Sequence, residues 1–318
     1  MSSGRPLNII CINPNYSTTR MLIQEKPEGL KDLSARSKRK EEGGLRTKEY
    51  YKKSYQHKPL ISIITVVKNN ERYLEQTIKS VINQTYTYIE YIVIDGGSAD
   101  NTLDIIQKYK NKIDYWVSES DKGIYDGMNK GIDLAKGEWL NFMNAGDKFY
   151  ENNTVERIFL GENYDVDFIY GDCKIVYNPK FSRIQQAGEI KNLWKGMIFS
   201  HQSLFTRCEV FKKYKFNINN KIGADYEFIY NSYISKYKFY HLHFPVSVNL
   251  AGGLSDTDRL GSILSWWSTV NKFTKIFRVN IHYFILFSDT LIRIGIKKIL
   301  PNKVYILLLR GKYNIFMN

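Results

Sequence analysis

Three apolar runs, each ending abruptly in a polar cluster, limit what this chain can fold into more than any other feature. LISIITVV (60 to 67) gives way to Lys68, Asn69 and Asn70. YIEYIVI (88 to 94) gives way to Asp95, Gly96, Gly97 and Ser98, and EWLNFM (138 to 143) to Asn144 and Asp147. Runs this short and this rich in β-branched residues read as strands buried on both faces. Between them Leu74, Ile78, Val81 and Ile82 fall at helical spacing, IDYWV (113 to 117) reads as a further strand, and IYDGMNKGIDLA (124 to 135) as a helix. The alternation predicts an α/β fold with parallel strands. Ligands of such sheets bind beyond the carboxyl ends of the strands, where the three polar clusters lie, so a nucleotide site is expected there.

After about residue 172 the rhythm breaks into short aromatic strands, one helix near 225 to 233, and a strand around YKFYHLHFPVSV. The reading divides the chain into a basic extension (1–58), a domain (59–255) and a helical, basic and aromatic tail (256–318). The domain splits in two where the rhythm breaks, into 59–172 and 173–255. Residues 20 to 58 include RSKRKEEGG and show no sustained apolar period, which predicts a linker or exposed arm.

Cys11, Cys173 and Cys208 are widely spaced and form no C-x-x-C pair, so neither a disulfide framework nor a thiolate zinc site is indicated. The N-terminal apolar run is too short for a signal-peptide core, and no stretch reaches the roughly 18 uninterrupted apolar residues of a membrane span. A soluble or peripheral protein of the cytoplasm is expected. The 46 Lys and Arg outweigh 32 Asp and Glu to give a net charge of +14, which calls for an anionic partner: a nucleotide, a nucleic acid or an acidic membrane surface.

VIDGGSADNT (93 to 102) sets Asp95 directly after a strand. Glycines and a capping serine explain the turn; the carboxylate is expected to accept from a nucleobase N–H. SESDKGIYDGMNKG (118 to 131) gathers Asp121, Lys122, Asp126, Asn129 and Lys130 at a helix start, either as a solvated charged surface or facing phosphate. GEWLNFMNAGD (137 to 147) delivers Asn144 and Asp147 together, which suits either an Asx turn or a hard cation such as Mg²⁺ or Mn²⁺. No G-x-G-x-x-G or G-x-x-x-x-G-K-[ST] is present, which disfavours a dinucleotide fold or a phosphate-loop ATPase.

Taken in order, the segments from PLISIITVVKNN through NAGD resemble a family 2 glycosyltransferase, over roughly 90 residues and more weakly to about residue 255. The resemblance implies a GT-A fold, with a mixed sheet carrying a nucleotide-binding first half and an acceptor-binding second half. It also implies an inverting, non-processive transfer of one sugar from a UDP-type donor. Thr65 and Asp95 would lie near the base, Lys122 near the diphosphate with Asn129 in the same donor set, and Asp147 on the metal. Asn144 stands where the family's metal motif has an acid. The family's Glu-Asp base motif appears as GADYEF (223 to 228), making Asp225 the base. If this segment opens a helix, positions two apart point about 200° away from each other, so Glu227 does not share that role and stands, with Asn144 and His201, as a candidate contact to acceptor or donor. His201 of HQSLF resembles an acceptor-side element and reads equally as a hydrogen-bonded core histidine. The Q-x-x-R-W of processive synthases is missing.

The acceptor implied is a saccharide or lipid-linked saccharide, in surface polysaccharide or glycolipid assembly. From 272 to 312 nine Lys or Arg meet one acid, Asp289, among aromatic and aliphatic residues. Such a tail fits an anionic membrane, at the inner face of the plasma membrane, or a packed helix pair. The contrasting reading is a non-catalytic domain that binds nucleic acid or membrane through its basic ends. No nucleic-acid-binding motif supports a nucleic-acid partner.

Overall fold

The computed structural model describes residues 39–299. In chain order its strands and helices are β1 (Arg39–Gly43), β2 (Ile61–Val67), α1 (Glu71–Ile82), β3 (Ile89–Asp95), α2 (Thr102–Lys108), β4 (Tyr115–Glu119), α3 (Ile124–Leu134), β5 (Trp139–Phe142), β6 (Lys148–Phe149) and α4 (Thr154–Phe159). The second half adds β7 (Phe168–Asn178), β8 (Phe181–Gln185), β9 (Leu204–Arg207), α5 (Cys208–Lys213), α6 (Ala224–Ile234), β10 (Phe239–Leu250), α7 (Leu254–Thr257), α8 (Arg259–Phe273) and α9 (Phe277–Ile299). The strands join one mixed sheet in the order β1-β4-β3-β2-β5-β9-β7-β10-β6, with β8 on β7.

The expected parallel block is β4-β3-β2-β5, while β9 runs antiparallel to both β5 and β7. Successive crossovers carry the chain from β2 outward to β3 and β4, then back to β5 on the other side of β2. The reversal leaves a crevice at the carboxyl ends of β2 and β5, the switch point where ligands of open α/β sheets bind.

Strand alternation builds a core on each face. Ile61, Ile63 and Val67 face a cluster with Leu74, Ile78 and Val81 of α1, Ile106 of α2, and Val155 and Ile158 of α4. Ile64 and Val66 face Met128 and Ile132 of α3, Phe211 of α5, and Tyr226 and Ile229 of α6. The helix α3 rides unusually close on β2, because a Cβ at Gly127 or Gly131 would lie 2.7 Å from Val66 and 2.5 Å from Ile64 respectively. That approach sets the start of α3 beside the crevice.

The expected exposed arm is corrected in part. Residues 1–38 lie outside the described residues, but 39–58 belong to the domain. β1 pairs antiparallel with β4 and closes that edge of the sheet. Arg46 donates to Glu90 and to the Leu134 carbonyl; Lys52 Nζ donates to Asp114 at 2.5 Å and to the Ile89 carbonyl at 2.8 Å. All four ionic partners are buried. The segment looked like a linker because its charge density was taken for solvation, whereas these cations neutralise buried carboxylates whose isolated burial would cost on the order of several kcal/mol. At the other end the expected helical tail is observed as α8 and α9 up to Ile299, and residues 300–318 lie outside the described residues. Within α9, Phe277–Ile296 is long and apolar enough by length and composition to cross a membrane, although Arg278, Asp289 and Arg293 interrupt its apolar run.

Candidate active site

The loops at the carboxyl ends of β2 and β3 hold each other. The Asn69 amide N–H donates to Ser98 Oγ at 2.8 Å, and Asn69 Oδ1 accepts from the Ala99 N–H at 2.8 Å. Asp95 is fully buried, and its carboxylate accepts from the Ser98 N–H, from Ser98 Oγ at 2.5 Å, and from Ser118 Oγ at 2.6 Å. It has no surface left for a nucleobase. In place of the expected contact with a base, the structure shows Asp95 bonded to the loop between β3 and α2 and to β4.

Two further residues expected on the donor side also bond within the fold. Thr65 is completely buried; its hydroxyl donates to the Met143 carbonyl at 2.7 Å and lies 3.0 Å from Tyr91 Oη. It pins β2 to β3 and to the end of β5. The Asn129 side chain donates to the Phe216 carbonyl at 2.9 Å and accepts from the Phe216 N–H at 3.0 Å, so it staples α3 to the loop before α6. Among the four expected donor residues only Lys122 has an exposed side chain, and it lies in the loop entering α3. Beside it, Asp121 is packed so tightly over Gly96 that a Cβ there would sit 2.3 Å from its carboxylate, and burial raises the Asp121 pKa.

The residues at the end of β5 meet the acceptor half directly. Asn144 Nδ2 is 3.2 Å from His201 Nε2, and His201 Nδ1 is 3.2 Å from Asp225 Oδ2. Asp225 Oδ1 accepts from Tyr125 Oη at 3.0 Å and from the Tyr226 N–H at 2.9 Å. Asp147 accepts from Gln202 Nε2 at 2.6 Å, while Gln202 and Asn249 sit together on Ser200. Asn144 and Asp147, which the sequence already sets together, thus converge with His201 and Asp225 from the second half of the chain. Sequence reasoning missed Tyr125, which α3 delivers, and Gln202, whose only signal was its place beside His201.

The charges at this cluster are mutually adjusted. Burial pushes the Asp225 carboxyl up, but hydrogen bonding and charge from His201, with the Tyr226 N–H and Tyr125 hydroxyl, bring it below the ordinary carboxylate range. Burial alone would lower His201; Asp225 reverses the sign and raises it. Asp147 is lifted to about 6 by burial, moderated by Gln202 and His201. A neutral ring with its proton on Nδ1 donates to Asp225 and accepts from the Asn144 amide; protonation of the ring adds the charge that lowers Asp225.

Glu227, two residues from Asp225 on α6, is engaged elsewhere. It accepts from Lys272 Nζ at 2.6 Å and from the side chains of Asn217 and Asn220, tying α6 to α8. The expected contact with donor or acceptor is not among the bonds this carboxylate makes within the fold.

A hard cation would find two oxygen donors here. Asn144 Oδ1 is buried with no hydrogen-bond partner, and Asp147 adds a carboxylate. Among the described residues no group of three or more His, Cys, Asp and Glu could hold a metal alone. The pair fits a cation that completes its shell with diphosphate oxygens and water, as hard cations at phosphate sites do.

A mixed sheet with a switch-point crevice, a polar donor side and a buried carboxylate at the first turn of α6 defines a glycosyltransferase of the GT-A fold. The Glycosyl transferase family 2 profile matches residues 62–223, and the chain belongs to that family. It is 33% identical over 211 residues to the PGL/p-HBAD biosynthesis glycosyltransferase of Mycobacterium bovis (strain BCG / Pasteur 1173P2), covering 63% of this chain and 80% of that one. Among solved structures it is similar to residues 1–349 of S. aureus TarS in complex with UDP-GlcNAc (TM-score 0.53, 17% identity, 73% of this chain and 71% of that one). Of the longer TarS chain it spans 40%. It is also similar to the mannosyltransferase PcManGT from Pyrobaculum calidifontis in complex with GDP-Man and Mn²⁺ (TM-score 0.56, 15% identity, 82% and 81%).

Proposed function

We propose that this glycosyltransferase is inverting and non-processive, moving one hexosyl or N-acetylhexosaminyl unit from a UDP-sugar to a hydroxyl of a saccharide or lipid-linked saccharide, with Mg²⁺ or Mn²⁺ bound. The observation that carries the reading is Asp225: a buried carboxylate, held on one side by His201 and on the other by Tyr125, and connected through His201 to the end of β5. A carboxylate so fixed can receive the acceptor hydroxyl's proton as that oxygen attacks the anomeric carbon. Attack opposite the departing diphosphate inverts the configuration, and the crevice supplies orientation by holding both partners. The cation, bound by Asp147 and Asn144, would neutralise charge on the diphosphate. Lys122 would approach the same phosphates from the start of α3.

The TarS complex with UDP-GlcNAc and the PcManGT complex with Mn²⁺ support a nucleotide-sugar and a divalent cation in this fold. The mycobacterial relative's assignment to PGL/p-HBAD biosynthesis supports an acceptor of the glycolipid kind. The test is UDP release from a panel of UDP-sugars with a lipid-linked saccharide acceptor, with Mn²⁺ and with chelator. Acceptor-stimulated release from one donor, with the product's anomeric configuration opposite to the donor's by NMR, is the expected outcome. A folded protein that binds none of the donors would leave the non-catalytic reading standing.

A further inference from the structure

The helix α9 has two apolar faces, and among the described residues only one is packed. On the inner face Val279 and Tyr283 are buried, Tyr283 stacks on Trp267 with ring centroids 6.0 Å apart, and Trp267 Nε1 donates to Asn280 at 2.7 Å. The outer face carries Phe277, Ile281, Phe284, Ile285, Leu291 and Ile292, at the three- and four-residue spacing of a helical stripe roughly opposite Tyr283. Phe277 is 78% exposed, Phe284 64%, Ile285 60% and Ile292 61%. Contiguous apolar exposure of this kind marks an interaction surface.

Charge identifies the occupant. Lys275 and Arg278 are exposed where the chain enters α9, beyond Lys272, which is paired with Glu227, and from 272 to 312 the sequence holds nine basic residues against Asp289, which is paired with Arg293 at 2.6 Å. A second copy of the chain would bring two basic rims together. An anionic bilayer offers acyl chains to the stripe and headgroup charge to the rim. Crossing the bilayer would require stripping Tyr283 and Val279 from the core.

We propose that α9 lies in the plane of an anionic membrane, its outer stripe at the boundary of headgroups and acyl chains and its inner face still packed on the domain. The surface needs no sugar transfer to operate, so its failure and the failure of the transfer reading are separate results. A lipid-linked acceptor would be presented at the same membrane.

Point substitutions test this better than truncation, because removing α9 also removes core residues. Full-length protein is mixed with vesicles of phosphatidylglycerol and phosphatidylcholine, or of phosphatidylcholine alone, and sedimented. Binding to the anionic vesicles is expected to exceed binding to the neutral ones and to fall with salt. F284S/I285S, with melting temperature unchanged, is expected to lose at least about tenfold in vesicle affinity. Lys275→Glu with Arg278→Gln is expected to abolish the preference for phosphatidylglycerol. Alkaline carbonate is expected to release bound protein. Equal binding by F284S/I285S, no binding of the intact protein to anionic vesicles, or retention after carbonate each overturn the proposal. So does a dimer that dissociates in F284S/I285S and never binds vesicles, which would assign the stripe to a second copy.

Discussion

The donor half and the acceptor half both present polar residues near the crevice, yet they use them in opposite ways. In the donor half Thr65, Asp95 and Asn129 spend their hydrogen bonds within the fold, on Met143, Ser98 with Ser118, and Phe216. In the acceptor half His201, Gln202 and Asp225 reach out of their own elements to Asn144, Asp147 and Tyr125. The contrast separates rigidity from chemistry. A nucleotide is gripped by a shape, which internal bonds stiffen; a proton must be received by one atom, whose surroundings set its basicity.

The sharpest break of that comparison is within α6. Asp225→Asn preserves the size of the side chain and removes its capacity to take a proton. UDP binding by calorimetry is expected to change little, while transfer falls at least about a hundredfold, the low end for a general base. Glu227→Gln is expected to keep most of the activity and to lower stability by about 1 kcal/mol, because it weakens the bond to Lys272. A reversed pattern would move the base to Glu227 and undo the division of roles.

Next in size is the pair at the end of β5. Asp147→Ala is expected to lower metal-dependent transfer about ten- to a hundredfold, and chelation of the intact protein to do the same. The pH dependence has a definite sign. Burial holds the Asp147 carboxyl at about 6, and a cation binds the ionised form, so Mn²⁺ affinity should weaken as pH falls below about 6, roughly tenfold per pH unit. Affinity that is flat across this range, measured by calorimetry, would remove Asp147 from the cation site.

A smaller effect is expected at His201, which joins the two halves. Its bond and charge hold Asp225 below the usual carboxylate range against the opposing push of burial. His201→Asn removes the charge and leaves the burial, so the Asp225 pKa rises and the acid limb of kcat/KM moves toward neutral pH. At alkaline pH, where Asp225 is ionised in both proteins, the variant should approach the intact enzyme. A purely structural histidine would instead lower the rate equally at every pH.

The strands were legible because apolar periodicity is local: β2, α1, β3, α3 and β5 lie within a residue or two of where their patterns put them. The switch-point crevice was legible for the same reason, since each strand announced its own carboxyl end. Partners were not. Thr65 meets Met143 78 residues away, and Asn129 meets Phe216 87 residues away; nothing near either residue signals the bond. The segment from Arg39 to Lys58 misled because its cations bond to Glu90 in β3 and to Asp114 just ahead of β4, and a charge run does not reveal whether its counter-ions are water or carboxylate. Tyr125 escaped notice because a helical pattern places it on the inner face, where an aromatic residue ordinarily only packs. Its hydroxyl shows otherwise by reaching Asp225.

The smallest expected effect on the donor distinguishes a fold residue from a binding residue most cleanly. Thr65→Val keeps the β-branched shape that suits a central strand and deletes only the hydroxyl. The Tyr91 hydroxyl and Met143 carbonyl then lose a partner inside the sheet, where an unsatisfied polar group costs about 1–3 kcal/mol. Denaturant unfolding should therefore report a loss of that order. UDP affinity should stay within about twofold, less than the tenfold that 1.4 kcal/mol represents, because the hydroxyl is completely buried and touches no part of the crevice. Asp95→Ala supplies the control. It frees the Ser98 N–H and two serine hydroxyls, so the loop between β3 and α2 loosens, and UDP affinity should fall together with stability. If Thr65→Val instead weakens UDP at least about tenfold while leaving unfolding unchanged, the hydroxyl contacts the base after all, and the donor half binds by single atoms as the acceptor half does.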